Sequence, residues 1–116
     1  MAKILVVDDE RAIRNTLKDI LEFEGYTIDL AENGKVGLEK ALATTYDLIY
    51  TDIKMPEMDG MEFLTAYREG ILQQNNEEAP VVVITGHGSV DAAVESLKSG
   101  AFDFIQKPLD LNRLLL

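Results

Sequence analysis

Five times along this chain a short aliphatic run gives way to a stretch with helical periodicity, and that alternation limits the fold more than any other feature. Lys3–Val7, Tyr26–Leu30, Asp47–Thr51, Pro80–Thr85 and Ala101–Gln106 are rich in β-branched and aliphatic residues and predict strands. Arg11–Phe23 places Ile13, Leu17, Ile20 and Leu21 on one helical face, with Gly25 as terminator. Asn33 is the expected N-cap of a helix carrying Val36, Leu38, Ala41 and Leu42. Asp59 followed by Glu62 is a capping-box pattern, and the helix it opens is expected to end in the polar stretch QQNNEEAP. Ser89–Ser99 carries Val90, Ala93, Val94 and Leu97 as an apolar stripe closed by Gly100, and Asp110 begins a last helix.

Buried strands that alternate with helices imply a parallel sheet with right-handed crossovers. The chain is too short for a closed eight-stranded barrel. The expected fold class is therefore α/β: one open, doubly wound, five-stranded parallel sheet of flavodoxin-like order 2-1-3-4-5, with helices on both faces. In such a sheet ligands bind beyond the carboxyl ends of the strands.

The 116 residues suit a single domain, and a hydrophobic fraction of 47% suffices for a core at that length. The net charge of −10 opposes direct contact with nucleic acid or an anionic membrane surface. The chain has no cysteine, which excludes disulfides and thiolate chemistry, and the single histidine, His87, cannot build a His-rich zinc site. Only four apolar residues follow Lys3 before charge appears, too few for a signal-peptide core, and no stretch reaches the length of a membrane span. A cytoplasmic location is expected.

The chemistry gathers at one sheet edge. Asp8 and Asp9 follow the first strand, Asp52 the third, Thr85 ends the fourth, and Lys107 with Pro108 follows the fifth. Three carboxylates and one ammonium leave a charge of about −2, which one Mg²⁺ would neutralise. Mg²⁺ takes oxygen ligands and commonly uses one or two carboxylates together with phosphate oxygens. A phosphoryl group arriving there would meet the metal, Lys107 and the Thr85 hydroxyl, and a carboxylate could attack it to form an acyl phosphate. Each residue also has an ordinary reading. Asp9 could be a helix N-cap, Asp52 an Asx-turn carboxylate, Thr85 a strand hydroxyl, Lys107 a solvated lysine, Phe104 plain core and His87 an exposed loop residue. Met55, Met58 and Met61 read as adaptable packing or partner surface.

Four segments, VVDDE, YDLIYTDIKMPEMDG, VVVITGHG and GAFDFIQKP, resemble in order the signature segments of the receiver domains of two-component response regulators. The resemblance covers essentially the whole chain. It implies that Asp52 accepts a phosphoryl group from a sensor histidine kinase or phosphotransfer domain. Asp9 would bind Mg²⁺ (or Mn²⁺) directly and Asp8 mainly through water, with Asp52 and the Lys54 backbone carbonyl completing the set. Thr85 and Lys107 would hold phosphoryl oxygens, and Lys107-Pro108 resembles the family's cis peptide bond. Phe104 would be the rotating aromatic of a Thr85–Phe104 switch, and Lys54 and His87 would tune dephosphorylation. Catalysis would be confined to self-phosphorylation and slow hydrolysis of the chain's own aspartyl phosphate.

The resemblance also implies an output face made of Ser89–Ser99, Ala101–Gln106 and the last helix, a downstream output domain that regulates transcription, and room for a homodimer. The stretch SVDAAVESLKSGAFDFIQKPLD is similar to receivers of nitrogen-regulation-type activators. The final LNRLLL leaves three leucines without a partner, so a receiver spanning residues 1–116 and cut within its last helix from a longer protein is expected. Two other function classes compete. A Mg²⁺-dependent phosphohydrolase would carry a second aspartate two residues past the nucleophile, where this chain has Lys54. A docking module that is not phosphorylated would be expected to lack the acceptor, a metal aspartate or the lysine.

Overall fold

The computed structural model describes residues 2–86 and 90–106. Nine elements follow one another: β1 (Lys3–Val7), α1 (Arg11–Phe23), β2 (Thr27–Ala31), α2 (Gly34–Ala43), β3 (Leu48–Asp52), α3 (Gly60–Gln74), β4 (Val81–Thr85), α4 (Val90–Lys98) and β5 (Asp103–Gln106). The strands form one sheet in the order β2-β1-β3-β4-β5, every neighbouring pair parallel. The predicted topology is the observed one. The last helix expected from Asp110, together with Lys107, Pro108 and His87, lies outside the described residues.

Side-chain alternation along the strands divides the core in two. Leu5, Val7, Ile49, Val81 and Val83 face one side, where Phe63, Leu64, Tyr67 and Ile71 of α3 and Ala41 of α2 cover them. Ile4, Val6, Tyr50, Val82, Ile84 and Ile105 face the other, against Leu17 and Leu21 of α1. Apolar residues on both faces explain why the strands read as unbroken aliphatic runs.

The helix signals act largely as predicted. Asn33 Oδ1 accepts the Val36 N–H at 2.8 Å. Asp59 and Glu62 form a capping box, Asp59 Oδ1 accepting the Glu62 N–H at 2.8 Å. Strand limits move by one or two residues. Pro80 has no N–H to give the ladder, so β4 begins at Val81, while the Pro80 carbonyl still accepts the Ile49 N–H at 3.0 Å. β3 runs on to include Asp52, which pairs with Ile84.

Of the apolar stripe predicted for α4, the side chains of Val94 and Leu97 are described, whereas those of Val90 and Ala93 lie outside the described residues. Val94 and Leu97 are 44% and 40% exposed, whereas Ser96 is fully buried. The helix lies along β4 and β5. A small side chain at Ser96 lets it approach the sheet closely and leaves the two larger residues facing outward.

Candidate functional site at the carboxyl edge of the sheet

Strand register assembles the site. β1 and β3 pair with Val7 opposite Thr51, so Asp8 and Asp52, each one residue further on, emerge side by side. β3 and β4 pair with Asp52 opposite Ile84, so Thr85 emerges one step beyond the acidic pair. Asp8, Asp52 and Thr85 are all buried, Asp8 and Thr85 completely. Buried carboxylates this close to one another are costly unless positive charge compensates them.

The loops hold these residues in place. The Asp8 N–H donates to the Ala31 carbonyl at 3.1 Å, and Arg14 Nη1 donates to the Asp8 carbonyl at 2.8 Å. Asp8 Oδ1 accepts the Glu10 N–H at 2.8 Å. On the other side, the Ile53 N–H donates to the Ile84 carbonyl at 3.2 Å, and the Gly60 N–H to the Ile53 carbonyl at 2.7 Å. The start of α3 is thus fastened directly beneath the residue after Asp52.

Asp9 is not the N-cap of α1. That position belongs to Glu10, whose side chain makes no capping bond, and Asp9 is exposed at the mouth of the site. Asp8, Asp9, Glu10 and Asp52 each offer a carboxylate oxygen, all within 4.8 Å of one another. Glu10 was not among the predicted ligands. Its only sequence signal is that it follows Asp8-Asp9, and its inclusion makes four carboxylates where the sequence suggested three. Arg14, one helical turn into α1, was also missed, because the carbonyl it grips belongs to a residue six positions earlier.

Oxygen donors of this kind suit a hard divalent cation rather than a soft metal. A second polar group lies one step from the acidic pair. The buried Thr85 Oγ1 has no hydrogen-bond partner among the described residues, which is uncommon for a buried hydroxyl. Lys54 is exposed in the loop after β3. Met55 is core, and Met58 packs against it, so these two methionines are packing residues. Phe104 is half-buried on β5, opposite Val83, and packs against the α3-side core.

Residues 4–116 match the family described as the response regulator receiver domain. The chain belongs to that family. A receiver of this kind is a phosphorylation-activated switch of two-component systems, and the match selects that reading over the phosphohydrolase. Among curated proteins the chain is 44% identical to the transcriptional regulatory protein ZraR of Klebsiella oxytoca over 97% of this chain and 24% of that protein. It is 39% identical to the response regulator ArlR of Staphylococcus saprophyticus over 99% of this chain and 50% of that one. The receiver therefore spans a quarter to a half of the length of these relatives. Among solved structures it superposes on NtrX from Brucella abortus with a TM-score of 0.88 at 34% identity, covering 98% of this chain and 25% of that chain. On the chemotaxis protein CheY4 of Vibrio cholerae the TM-score is 0.86 at 33% identity, over 99% and 93% of the two chains. No helix among the described residues is long and apolar enough to cross a membrane.

Proposed function

We propose that Asp52 is the phosphoacceptor of this receiver and that Asp8, Asp9 and Asp52 hold the Mg²⁺ that accompanies it, with Glu10 within reach. The supporting observation is the strand register, which buries Asp52 beside Asp8 and one step from the unpartnered Thr85 hydroxyl. A Mg²⁺ ion bound there supplies positive charge to the carboxylates and to phosphoryl oxygens.

A carboxylate oxygen of Asp52 attacks phosphorus on a phosphohistidine donor. The new P–O bond forms as the P–N bond breaks, and the leaving imidazole keeps the electron pair and takes a proton from solvent. The Thr85 hydroxyl then donates to a phosphoryl oxygen, as Lys107 does in the family pattern. Drawing Thr85 toward the phosphoryl group frees space for the Phe104 ring, which biases a two-state equilibrium of α4 and β5. Lys54 and His87 tune how fast water removes the phosphoryl group.

Val94, Leu97 and Phe102, the last 72% exposed, supply apolar side chains to the output face. The donor is a sensor histidine kinase or phosphotransfer domain in the cytoplasm. The recipient of the signal is an output domain that regulates transcription, as the names of the curated relatives suggest. The test is intact-mass measurement after incubation with acetyl phosphate and Mg²⁺. Wild type gains one phosphoryl mass and Asp52→Asn gains none. Equal labelling of the two would remove Asp52 from the acceptor role.

A further inference from the structure

Both ends of α4 matter to a switch, and the C-terminal end is the one whose fastening the described residues show. The N-terminal end, Val90, begins five residues after Thr85. The C-terminal end is tied to the opposite edge of the sheet. The Phe102 N–H donates to the Val81 carbonyl at 2.8 Å, and Val81 is the first residue of β4, about 13 Å from Thr85 at the ordinary rise of a strand. The Gly100 and Ala101 N–H groups close the helix onto Leu97 and Ser96.

Arg68 of α3 adds a link from a separate element. Its Nη1 donates to the Ser99 carbonyl at 3.0 Å, and its Nε pairs with Glu78 Oε2 at 3.1 Å. A guanidinium at a helix C-terminus meets the negative end of the helix dipole, and its fork lets one side chain hold two acceptors. Gly100 has φ +107, and a Cβ there would overlap the Arg68 guanidinium. The glycine therefore serves both the turn and the side chain that lies across it. Arg68 also lines a surface groove of about 390 Å³ with Thr65, Ile71, Leu72 and Glu78, so it bridges open space instead of filling a core.

We propose that Arg68, positioned by Glu78, anchors the C-terminal end of α4 at Ser99–Gly100, so that phosphorylation moves the N-terminal end of the helix about that fixed point. Arg68 is a positioning residue: it touches neither the phosphoryl group nor the acidic pocket. The inference rests on the proposed phosphorylation of Asp52 and deepens it.

Amide hydrogen exchange on wild type and Arg68→Ala, with and without excess acetyl phosphate and Mg²⁺, tests it. In wild type, phosphorylation changes exchange in the first half of α4 and leaves residues 99–102 unchanged. In Arg68→Ala, exchange at 99–102 rises roughly three- to tenfold before any phosphorylation, the scale of losing one partly exposed charge-assisted bond, and these amides then respond to it. Arg68→Lys keeps the charge but loses the fork, and falls between the two. A wild-type response equal at both ends of α4 overturns the anchor, as does an Arg68→Ala profile identical to wild type. If wild type labels normally while either of those results appears, only the anchor fails. If wild type takes no label, the Asp52 reading fails and the anchor falls with it.

Discussion

Gly60 lies against the carbonyl of Asp52, with no room between them for a methyl group. An added Cβ would overlap the Asp52 carbonyl oxygen and come within 3.0 Å of its carbonyl carbon and 2.9 Å of the Ile53 Cα. All three atoms are backbone, which cannot swing aside as a flexible side chain can. Gly60→Ala therefore pushes the start of α3 away from β3. The expected cost is about 1–3 kcal/mol, typical of overpacking a tight contact. The displacement also shifts Asp52 relative to Asp8, so labelling by acetyl phosphate slows by more than the loss of folded protein explains. Urea denaturation and a labelling time course on the same preparation separate the two effects. Normal labelling in a destabilised variant would show that α3 does not position the proposed acceptor.

Asp8 gives a prediction that depends on whether a divalent cation is present. Its side chain is fully buried, and its carboxylate lies within 4.8 Å of those of Asp9, Glu10 and Asp52. Asp8→Asn keeps the Oδ1 that accepts the Glu10 N–H and removes one negative charge. Without divalent cations the variant is expected to be more stable than wild type, by on the order of 1–3 kcal/mol given charges this close in a partly shielded site. With Mg²⁺ the order narrows or reverses. Saturation at 100 times Kd stabilises a binding protein by about 2.7 kcal/mol, and the variant gains less of this. Thermal unfolding with EDTA and with millimolar Mg²⁺ measures the difference in both conditions, and a gap that Mg²⁺ leaves unchanged would remove Asp8 from the cation site.

The alkaline limb of stability should be set by buried phenols. Tyr46 is 5% exposed and donates to Asp29 Oδ2 at 2.6 Å. Burial first, and then the Asp29 carboxylate, push its ionisation well above the ordinary value of 10.0. Because the folded-state pKa is the raised one, this contribution is intact below about pH 10. Above it the unfolded chain loses the proton first, and stability falls by about 1.4 kcal/mol per pH unit until the folded-state phenol ionises too. Tyr50, pushed up to about 12 by burial, and Tyr67 act in the same direction. Tyr46→Phe should therefore flatten the alkaline decline without abolishing it. Denaturation midpoints from pH 8 upward check the slope, on the order of one proton per raised phenol. An unchanged slope would exclude Tyr46.

Much of the candidate site's geometry was legible because it sits where regular structure stops. Asp8, Asp52 and Thr85 stand out as polar residues ending aliphatic runs, and parallel topology then forces those ends together. Glu10 was harder to see, since only the turn that puts it at the N-cap of α1, with its carboxylate within reach of Asp52, distinguishes it from a first-turn acid. The exposure of Val94 and Leu97 was not legible, because periodicity finds an apolar face but not which flank a neighbouring sheet will cover. Arg68 carried no local signal: its acceptor, the Ser99 carbonyl, is 31 residues away in sequence. Pro80 moved the start of β4 by one residue through a missing donor, an effect of hydrogen bonding that composition does not register.

Tyr67 tests how far the acidic edge is insulated from the packing beneath it. Its ring stacks on Phe63, centroids 6.0 Å apart and planes within 2°, on the α3 face of the core. Its hydroxyl oxygen accepts the Ala79 N–H at 2.8 Å, just before β4 begins. Tyr67→Phe preserves the stack and leaves a buried amide without that acceptor. Such a loss costs about 1–3 kcal/mol, against the near-neutral result of a phenol that merely filled space. The damage falls at the amino end of β4, whereas Asp52, Thr85 and the carboxylates lie at the carboxyl ends. Tyr67→Phe should therefore lower the urea midpoint while leaving the labelling rate of folded protein and its Mg²⁺ dependence at wild-type values. Slower labelling at equal folded fraction would mean that strain at the start of β4 reaches Thr85, and that the sheet carries displacement along its strands instead of holding the site rigid.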